Sequence, residues 1–306
     1  MHPVIQKTRL APTPSGFLHL GNVISFLITV SLAKKHQAKI LLRIDDLDQK
    51  RTRVEYIQDI FDTLDLLEIP YDEGPRSVSD LQQNYSQIHR LPHYKQLLEE
   101  LALNQLVFAC NCSRKKIRES HPKGRYTGQC LTKNVPLSEQ GVSWRLKTVV
   151  GSSPSMNRYP NSRQVCQIPD SMNFFIVKKK DGDPAYQLTS VADDHYFGVD
   201  FIVRGQDLWD SSCAQLHLSS LMPYNPLAKT TFFHHPLLME GMRKLSKSEG
   251  ALAIRTMRKS GMKKEAILTK AASFLGIQIP IRTVEEFIPA YLDSLANPPF
   301  NHRNLE

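Results

Sequence analysis

Residues 9–22, RLAPTPSGFLHLGN, constrain the fold of this chain more than any other stretch. Apolar Val4 and Ile5 lead in, two prolines and Gly16 turn the chain, and an apolar-rich run over residues 23–33 follows. That order reads as a strand, a tight turn and a buried helix entered at His19-Leu20-Gly21-Asn22. Gly16 and Gly21 permit close backbone approach. The first N–H groups of the helix have no partner within it, so they draw an anion. His19 adds a side-chain donor. A seat for a nucleotide triphosphate and a plain Pro-rich turn with a surface histidine both fit this stretch taken alone.

Far downstream, residues 243–248 (RKLSKS) sit in a polar, loop-like setting that ends at Gly250. Lys244 and Lys247, three apart, form a cationic clamp suited to charge developing on an α-phosphate. The 306 residues have room for one large domain with an insertion or for two domains, and 41% hydrophobic content supplies a core. A net charge of +9 suits a polyanionic partner. No apolar run reaches the ~20 residues that cross a bilayer, and MHPVIQKTR lacks a signal-peptide core. The expected location is therefore cytoplasmic, without membrane contact. Five cysteines, an odd number, argue for thiols or metal rather than a disulfide framework.

Between the two stretches, residues 39–48 (KILLRIDDLD) read as a buried parallel strand ending in Asp45, Asp46 and Asp48. Those carboxylates either meet a ligand at the strand's carboxyl end or cap a helix over residues 53–67. That helix sets Val54, Ile57, Phe61, Leu64 and Leu67 on a core face, and residues 92–106 read as another amphipathic helix. Cys110, Cys112 and Cys130 then fall close together, one ligand short of a tetrahedral zinc site. His121 and Tyr126 are the candidates for the fourth, and chemistry alone favours His121 because imidazole is the commoner ligand. Cys166 and Cys213 read as isolated packing residues. The basic run Arg114, Lys115, Lys116, Arg118, Lys123, Arg125 is a solvated face, or a phosphate-backbone contact if a metal knuckle presents it beside a nucleotide site.

Residues 131–170 look irregular apart from a strand over 142–149. Residues 174–178 read as a strand, Asp181-Gly182-Asp183-Pro184 as a turn, and 200–204 as a buried strand with Arg204 at its carboxyl end. Residues 206–221 read as a helix, and those after Ser248 as mainly helical up to a frayed PPFNHRNLE tail.

His19-Leu20-Gly21-Asn22 and Lys244-Leu245-Ser246-Lys247-Ser248 resemble the HIGH and KMSKS signatures of class I aminoacyl-tRNA synthetases. RLAPTPSGFLHLGN, LLRIDDLD, FACNCS…YTGQC, DGDPAYQLTSVADDHYFGVDFIVRGQDL and RKLSKS together resemble the catalytic half of the glutamyl-tRNA synthetase family, up to about residue 276. The resemblance implies an α/β fold, a Rossmann-like doubly wound parallel sheet formed by residues 1–106 and 171–250. A zinc-containing insertion at 107–170 would interrupt it and a small helical subdomain at 251–306 would follow, with no anticodon-binding domain. Length and the Cys-x-Cys…Tyr-x-x-x-Cys spacing resemble the family's truncated glutamyl-Q branch, whose members attach glutamate to the queuosine base of tRNA(Asp). A short synthetase charging the tRNA 3′ end with glutamate or glutamine is the alternative. A HIGH-type small-molecule nucleotidyltransferase explains neither the cysteines nor the basic run.

The resemblance also implies roles. His19, Lys244 and Lys247 would be catalytic. Arg9, Ala11, Thr13, Asp45, Tyr186 and Arg204 would bind glutamate, the two arginines matching its two carboxylates. His19, Gly21, Asn22 and Lys247 would hold ATP, accompanied by Mg2+. One structural zinc would sit on Cys110, Cys112, Tyr126 and Cys130, with Tyr126 in place of His121. The implied partner is tRNA, and the implied state is a monomer. Asp45 stands where the family normally carries Glu, and related glutaminyl enzymes carry Asp there. Full-length glutamyl enzymes resemble one another in needing tRNA for amino-acid activation.

Overall fold

A computed structural model describes residues 4–121, 123–148, 153–236, 239–240, 243–244 and 253–297. Residues 245–248 of the lysine signature and the 298–306 tail lie outside them. Residues 4–89 give β1 (Lys7–Leu10), α1 (Leu20–His36), β2 (Lys39–Leu42), α2 (Val54–Leu67) and a single turn, α3 (Val78–Asp80). Residues 90–200 give α4 (Leu91–Leu103), β3 (Val107–Cys110), α5 (Arg114–Ser120), β4 (Ser143–Leu146), β5 (Ser155–Arg158), β6 (Ser162–Val165), β7 (Ile176–Lys178) and α6 (Tyr186–Tyr196). Then come β8 (Phe201–Gly205), α7 (Trp209–Leu221), β9 (Thr231–His235), β10 (Met239–Glu240), β11 (Arg243–Lys244), α8 (Ile254–Lys259), α9 (Lys264–Ser273) and α10 (Val284–Ala296). These make two compact units: residues 4–89, 201–206 and 235 onward in one, and 90–200 with 207–234 in the other.

In the first unit, β1 and β2 pair in parallel with Arg9 opposite Leu41. The helix between them, α1, is apolar on all sides and packs against β1, β2, β8, α9 and α10. Leu20, Val23, Ile24, Leu27, Ile28 and Leu32 are all fully buried, and each such side chain contributes about 1.5–3 kcal/mol. Buried hydroxyls in this helix bond to carbonyls one turn back, Thr29 to Ser25 at 2.7 Å and Ser31 to Leu27 at 2.8 Å. Helix α2 buries Ile57, Ile60, Phe61, Leu64 and Leu67 as its spacing requires, but Val54 at its first position is 58% exposed and outside the core. The loop-like setting expected for the lysine signature begins instead with β11, antiparallel to β10.

The second unit holds an antiparallel sheet, β3–β4–β7. Its strands are shorter than their sequence runs: Phe174 adopts a positive φ of 52°, which keeps it and Phe175 out of β7. The segment expected to be irregular contains a hairpin, β5 with β6, and β5 also pairs in parallel with β9. Every residue of β6 is exposed, so no apolar alternation announces it. The helix expected from Gln206 opens with a single 3-10 turn before α7 begins. Helices α4 and α6 are joined by a buried pair: Arg90 Nε donates to Asp193 Oδ1 at 2.7 Å, and the Tyr94 hydroxyl donates to the same oxygen at 2.6 Å. Cys166 and Cys213 are not isolated. They are fully buried, and a hydrogen bond between their thiols holds Cys166 below and Cys213 above the ordinary thiol value.

Strands β1 and β2 each open with a lysine, and both lysines reach Glu73, Lys7 Nζ at 2.8 Å and Lys39 Nζ at 3.5 Å. The hydrogen bond from Lys7 is the main reason the Glu73 carboxyl lies below its ordinary value of 4.5. A folded value below the unfolded one gives stability that is fully present above about pH 4.5 and lost as pH falls through the lowered value. Lys7 and Glu73 are partly exposed and Lys39 largely so, and about 0.5 kcal/mol is expected after screening. Urea melts between pH 3 and 6 should therefore show a slightly shallower acid limb for Glu73→Gln, with superimposable stabilities at the acid end.

Candidate active site and metal centre

The strand-turn-helix of the first unit brings several of the expected residues together. Pairing between the two N-terminal segments continues past β1 and β2, because Arg43 N–H donates to Leu10 O at 2.8 Å and Asp45 N–H to Pro12 O at 3.0 Å. Arg9 is buried, and its Nη1 donates to Val203 O at 3.2 Å, the carbonyl just before Arg204. Arg204 is buried as well, so the two cations expected to hold a dicarboxylate sit on adjacent strands of one unit. Ala11 is half-buried and Thr13 exposed on the turn. A Cβ built at Gly16 would meet no atom within 4 Å, so the space beside this residue is open rather than filled by the protein.

Helix α1 starts at Leu20 with His19 as its N-cap residue, and the Asn22 side chain folds back to accept the His19 N–H at 3.1 Å. Asn22 thus satisfies a donor at the helix end. The remaining first-turn N–H groups and the positive end of the dipole lie beside Gly21 and His19, which is the arrangement a phosphate needs. Lys244 lies in β11 of the same unit, and Lys247 lies outside the described residues.

The acidic cluster divides its labour in a way the sequence did not disclose. Asp45 is held by a two-point fork from Arg43, Nε to Oδ1 at 2.7 Å and Nη2 to Oδ2 at 3.1 Å. Asp46 accepts from Ser86 Oγ at 2.6 Å and from Gln87 N at 2.8 Å, while Gln87 Oε1 accepts from Leu47 N at 2.9 Å. Asp48 is exposed, and its backbone carbonyl closes a turn. None of the three caps α2, whose N-cap position is Arg53 without a side-chain cap bond. Arg43 was missed. Its signal was the two-residue spacing from Asp45, which sets both side chains on one side of an extended chain.

In the second unit, Tyr186 is the first residue of α6 and 45% exposed. The turn before it is fixed by Lys179 N–H to Asp183 O at 2.8 Å and by Gly182 at φ 94°.

The same unit gathers Cys110, Cys112 and Cys130, all buried, with their sulfurs within 4.8 Å of one another and the Cys112–Cys130 pair at 3.5 Å. Ligands about 2.3 Å from a tetrahedral zinc lie roughly 3.8 Å apart, which this spacing fits. Tyr126 lies against this group: its hydroxyl oxygen accepts from Cys130 N at 3.0 Å and hydrogen-bonds with the Cys110 and Cys130 thiols. His121 is not part of that group, and its Nδ1 accepts from Lys123 N at 3.2 Å. Phe108 and Phe174 pack against Tyr126, and the Arg145 guanidinium lies 3.8 Å from its ring centre. Gly128 approaches the Phe174 ring so closely that a Cβ would sit 3.1 Å from it, at a φ of 90° that disfavours other residues.

Burial works to raise Cys110, Cys112 and Tyr126. For Cys110 it is outweighed by hydrogen bonds from Tyr126, the Cys112 backbone and Arg145, which bring the thiol down to about 7. Cys112 is pushed up to about 11 by burial and by its sulfur neighbours. A dication would reverse that penalty by taking the thiolates as ligands. Next to the cluster, α5 leaves Arg114, Lys115, Lys116 and Arg118 exposed, and Lys123 follows.

If the fork is what holds Asp45, then Arg43→Met leaves a buried carboxylate without its cation. A loss of about 3–5 kcal/mol is expected. Equilibrium unfolding in urea would measure it, and Arg43→Lys should recover only part, since an ammonium cannot fork.

Residues 6–290 match the family model described as tRNA synthetases class I (E and Q), catalytic domain. A protein named glutamate–tRNA ligase 1 from Nitrosococcus oceani is 28% identical over 270 residues, covering 86% of this chain and 55% of that protein. One named glutamyl-Q tRNA(Asp) synthetase from Nitratidesulfovibrio vulgaris is 32% identical over 304 residues, covering 92% of this chain and 88% of that protein. The chain thus spans about half the length of the first relative and most of the second. The crystal structure of a glutamate-tRNA synthetase from Elizabethkingia anophelis superposes with a TM-score of 0.72 at 20% identity, covering 93% of this chain and 65% of that one, and carries the fold alone. Among the described residues, no helix is long and apolar enough to cross a membrane.

Proposed function

The chain belongs to the catalytic-domain family of the class I tRNA synthetases for glutamate and glutamine, and from that membership we propose that it joins L-glutamate to a tRNA through a glutamyl-adenylate. The observation that carries this reading is the pair of buried guanidiniums, Arg9 and Arg204, on adjacent strands of the unit that also presents the His19 turn. Two fixed cations ask for a dicarboxylate. Asp45 would take the substrate ammonium, Tyr186 would hydrogen-bond it, and Ala11 and Thr13 would line the turn. His19 and the backbone at Gly21 would hold ATP with its Mg2+, and Lys244 and Lys247 would stabilise the charge that builds on the α-phosphate. The acceptor is proposed to be the queuosine base of tRNA(Asp), supported by the near end-to-end match to the glutamyl-Q tRNA(Asp) synthetase relative. Transfer to the tRNA 3′ end is the second reading, and the glutamate–tRNA ligase relatives favour it.

A single zinc on Cys110, Cys112, Tyr126 and Cys130 is proposed as structural. When bound, it would tie β3 to the chain around Tyr126 and so set the basic face of α5 against a phosphate backbone.

ATP–pyrophosphate exchange with glutamate, glutamine and aspartate, with and without tRNA, tests the reading. Exchange with glutamate in the absence of tRNA supports the queuosine branch, and exchange with glutamine alone overturns the glutamate assignment. The acceptor is separated by labelling tRNA that lacks its 3′ adenosine and tRNA that lacks queuosine. Only the first should accept glutamate.

Lys247→Ala should slow adenylate formation by ~100-fold without changing the unfolding midpoint, as for loss of one transition-state donor; unchanged exchange kinetics would remove Lys247 from the site. Cys112→Ser should copurify with less than half the zinc of the parent and melt earlier. Elemental analysis beside a thermal scan reads both, and equal metal content would count against the centre.

A further inference from the structure

The His19 turn does not stand by itself. Leu18, just before it, has both backbone polar groups engaged. Its carbonyl accepts the Ile254 N–H at 2.9 Å, and its N–H donates to Asp59 Oδ2 at 2.9 Å. His19 itself forms an antiparallel bridge with Ala253. Ala253 lies six residues beyond Lys247 in the sequence, so the nucleotide turn is laced to the stretch that follows the lysine signature. Asp59 comes from the middle of α2 and is 2% exposed, the one charge among the buried residues of that helix, which are otherwise Ile57, Ile60, Phe61, Thr63, Leu64 and Leu67. Its second oxygen, Oδ1, meets Arg258 Nη2 at 3.3 Å, and the same nitrogen reaches Asp62 Oδ2 at 3.0 Å. Arg258 sits on α8, whose first residue is Ile254.

One carboxylate therefore holds the turn with one oxygen and α8 with the other, while α8 holds the turn through Ile254. The triangle is closed: α2 to turn, turn to α8, α8 to α2. A second contact runs parallel to it. The Arg255 guanidinium lies 4.2 Å from the centre of the Phe17 ring, which packs edge-on against Tyr56 of α2 at 4.8 Å. A buried carboxylate in an apolar helix face costs several kcal/mol unless donors meet it. Here both donors come from outside α2, Leu18 N–H and Arg258, so the charge ties segments together rather than packing the helix.

We propose that Asp59 is a positioning residue for ATP: by holding the Leu18 N–H and Arg258 together it fixes the His19 turn against the Ala253–Ile254 segment, so that adenylate formation depends on it and glutamate capture does not. The proposal rests on the ATP-dependent reading above. Arg9, Asp45 and Arg204, the residues assigned to glutamate, lie on β1, after β2 and on β8, and no bond of the triangle reaches them. A displacement of about 1 Å at a phosphate-holding group lowers a rate by up to ~100-fold.

The test uses the full chain as wild type, Asp59→Leu, Asp59→Asn, Arg258→Met and Arg258→Lys. Circular dichroism melts establish folding, and ATP–pyrophosphate exchange gives kcat and KM for ATP and for glutamate separately. Asp59→Leu should lower kcat/KM for ATP by about 10- to 100-fold while the glutamate KM stays within about twofold. Asp59→Asn keeps an oxygen for the Leu18 N–H and should fall between wild type and Asp59→Leu. If Asp59→Leu fails to fold, the Arg258 pair decides: Arg258→Met should show the same split at smaller size, and Arg258→Lys should recover most of it. Folded variants with wild-type ATP kinetics overturn the proposal, as does a glutamate KM that rises in step with the loss in kcat/KM for ATP, because a general loosening would do that. The two readings fail differently. Wild type that is silent with every amino acid removes the proposed function and this inference with it, whereas exchange with glutamine alone removes glutamate and leaves the ATP split to be read with glutamine.

Discussion

A carboxylate taken out of water must be met by donors, and the buried aspartates of this chain dictate which distant segments come together. Asp45 is forked by Arg43, Asp46 is gripped by Ser86 and Gln87, Asp59 by Leu18 and Arg258, and Asp193 by Arg90 and Tyr94. Desolvation offsets most of the attraction in such pairs, so their net stabilisation is small. Removing one partner is another matter, since it strands a charge at about 3–5 kcal/mol. Misregistered arrangements of these elements carry that penalty. Apolar contacts of α1 supply most of the cohesion in the first unit, and the aspartates select the register in which that cohesion is realised.

In the second unit the same logic passes to sulfur. Three thiols and a phenol packed within a few ångström share too few protons and acceptors to satisfy one another fully, which is why burial drives Cys112 and Tyr126 upward while Arg145 and neighbouring donors draw Cys110 down. The aromatic wall of Phe108 and Phe174 keeps water away from the group. Cys110 and Cys112 end and follow β3, whereas Tyr126 and Cys130 come from a stretch without regular structure beyond α5. A metal cross-link at this point would order a segment that has little apolar surface of its own to bury.

Much of this architecture was legible from the residues. The parallel β1–β2 pair, α1, the face of α2 and the turn before α6 follow from apolar period and from turn chemistry, which are local. The cysteine group was legible because thiols are rare and closely spaced, while residue chemistry alone favoured His121 over Tyr126 and only the family resemblance pointed to the tyrosine that packs beside the thiols. Hairpin β5–β6 escaped notice because β6 is exposed throughout and carries no alternation. The acidic cluster was seen as a cluster; Arg43 was marked only by its spacing from Asp45, and the partners Ser86 and Gln87 could not be chosen in advance. Ser86 and Gln87 lie 40 and 41 residues from Asp46, and nothing in a polar Asn-Tyr-Ser-Gln stretch marks them as acceptors or donors for a buried charge.

The exchange of Glu for Asp at position 45 looks at first like an argument for a neutral substrate. The Arg43 fork changes its weight. A two-point contact holds both oxygens of this acceptor against one planar donor. The fork also fixes where that acceptor stands, which compensates in position for a side chain one methylene shorter. On and just after these neighbouring strands, the buried cations Arg9, Arg43 and Arg204 stand with two buried carboxylates, Asp45, held by Arg43, and Asp46, held by Ser86 and Gln87. On the proposed reading, glutamate would bring two carboxylates to Arg9 and Arg204 and its ammonium to Asp45, whereas glutamine would bring only one carboxylate. The charge of the substrate side chain beside those guanidiniums, rather than the length of residue 45, is then what would discriminate between the two amino acids.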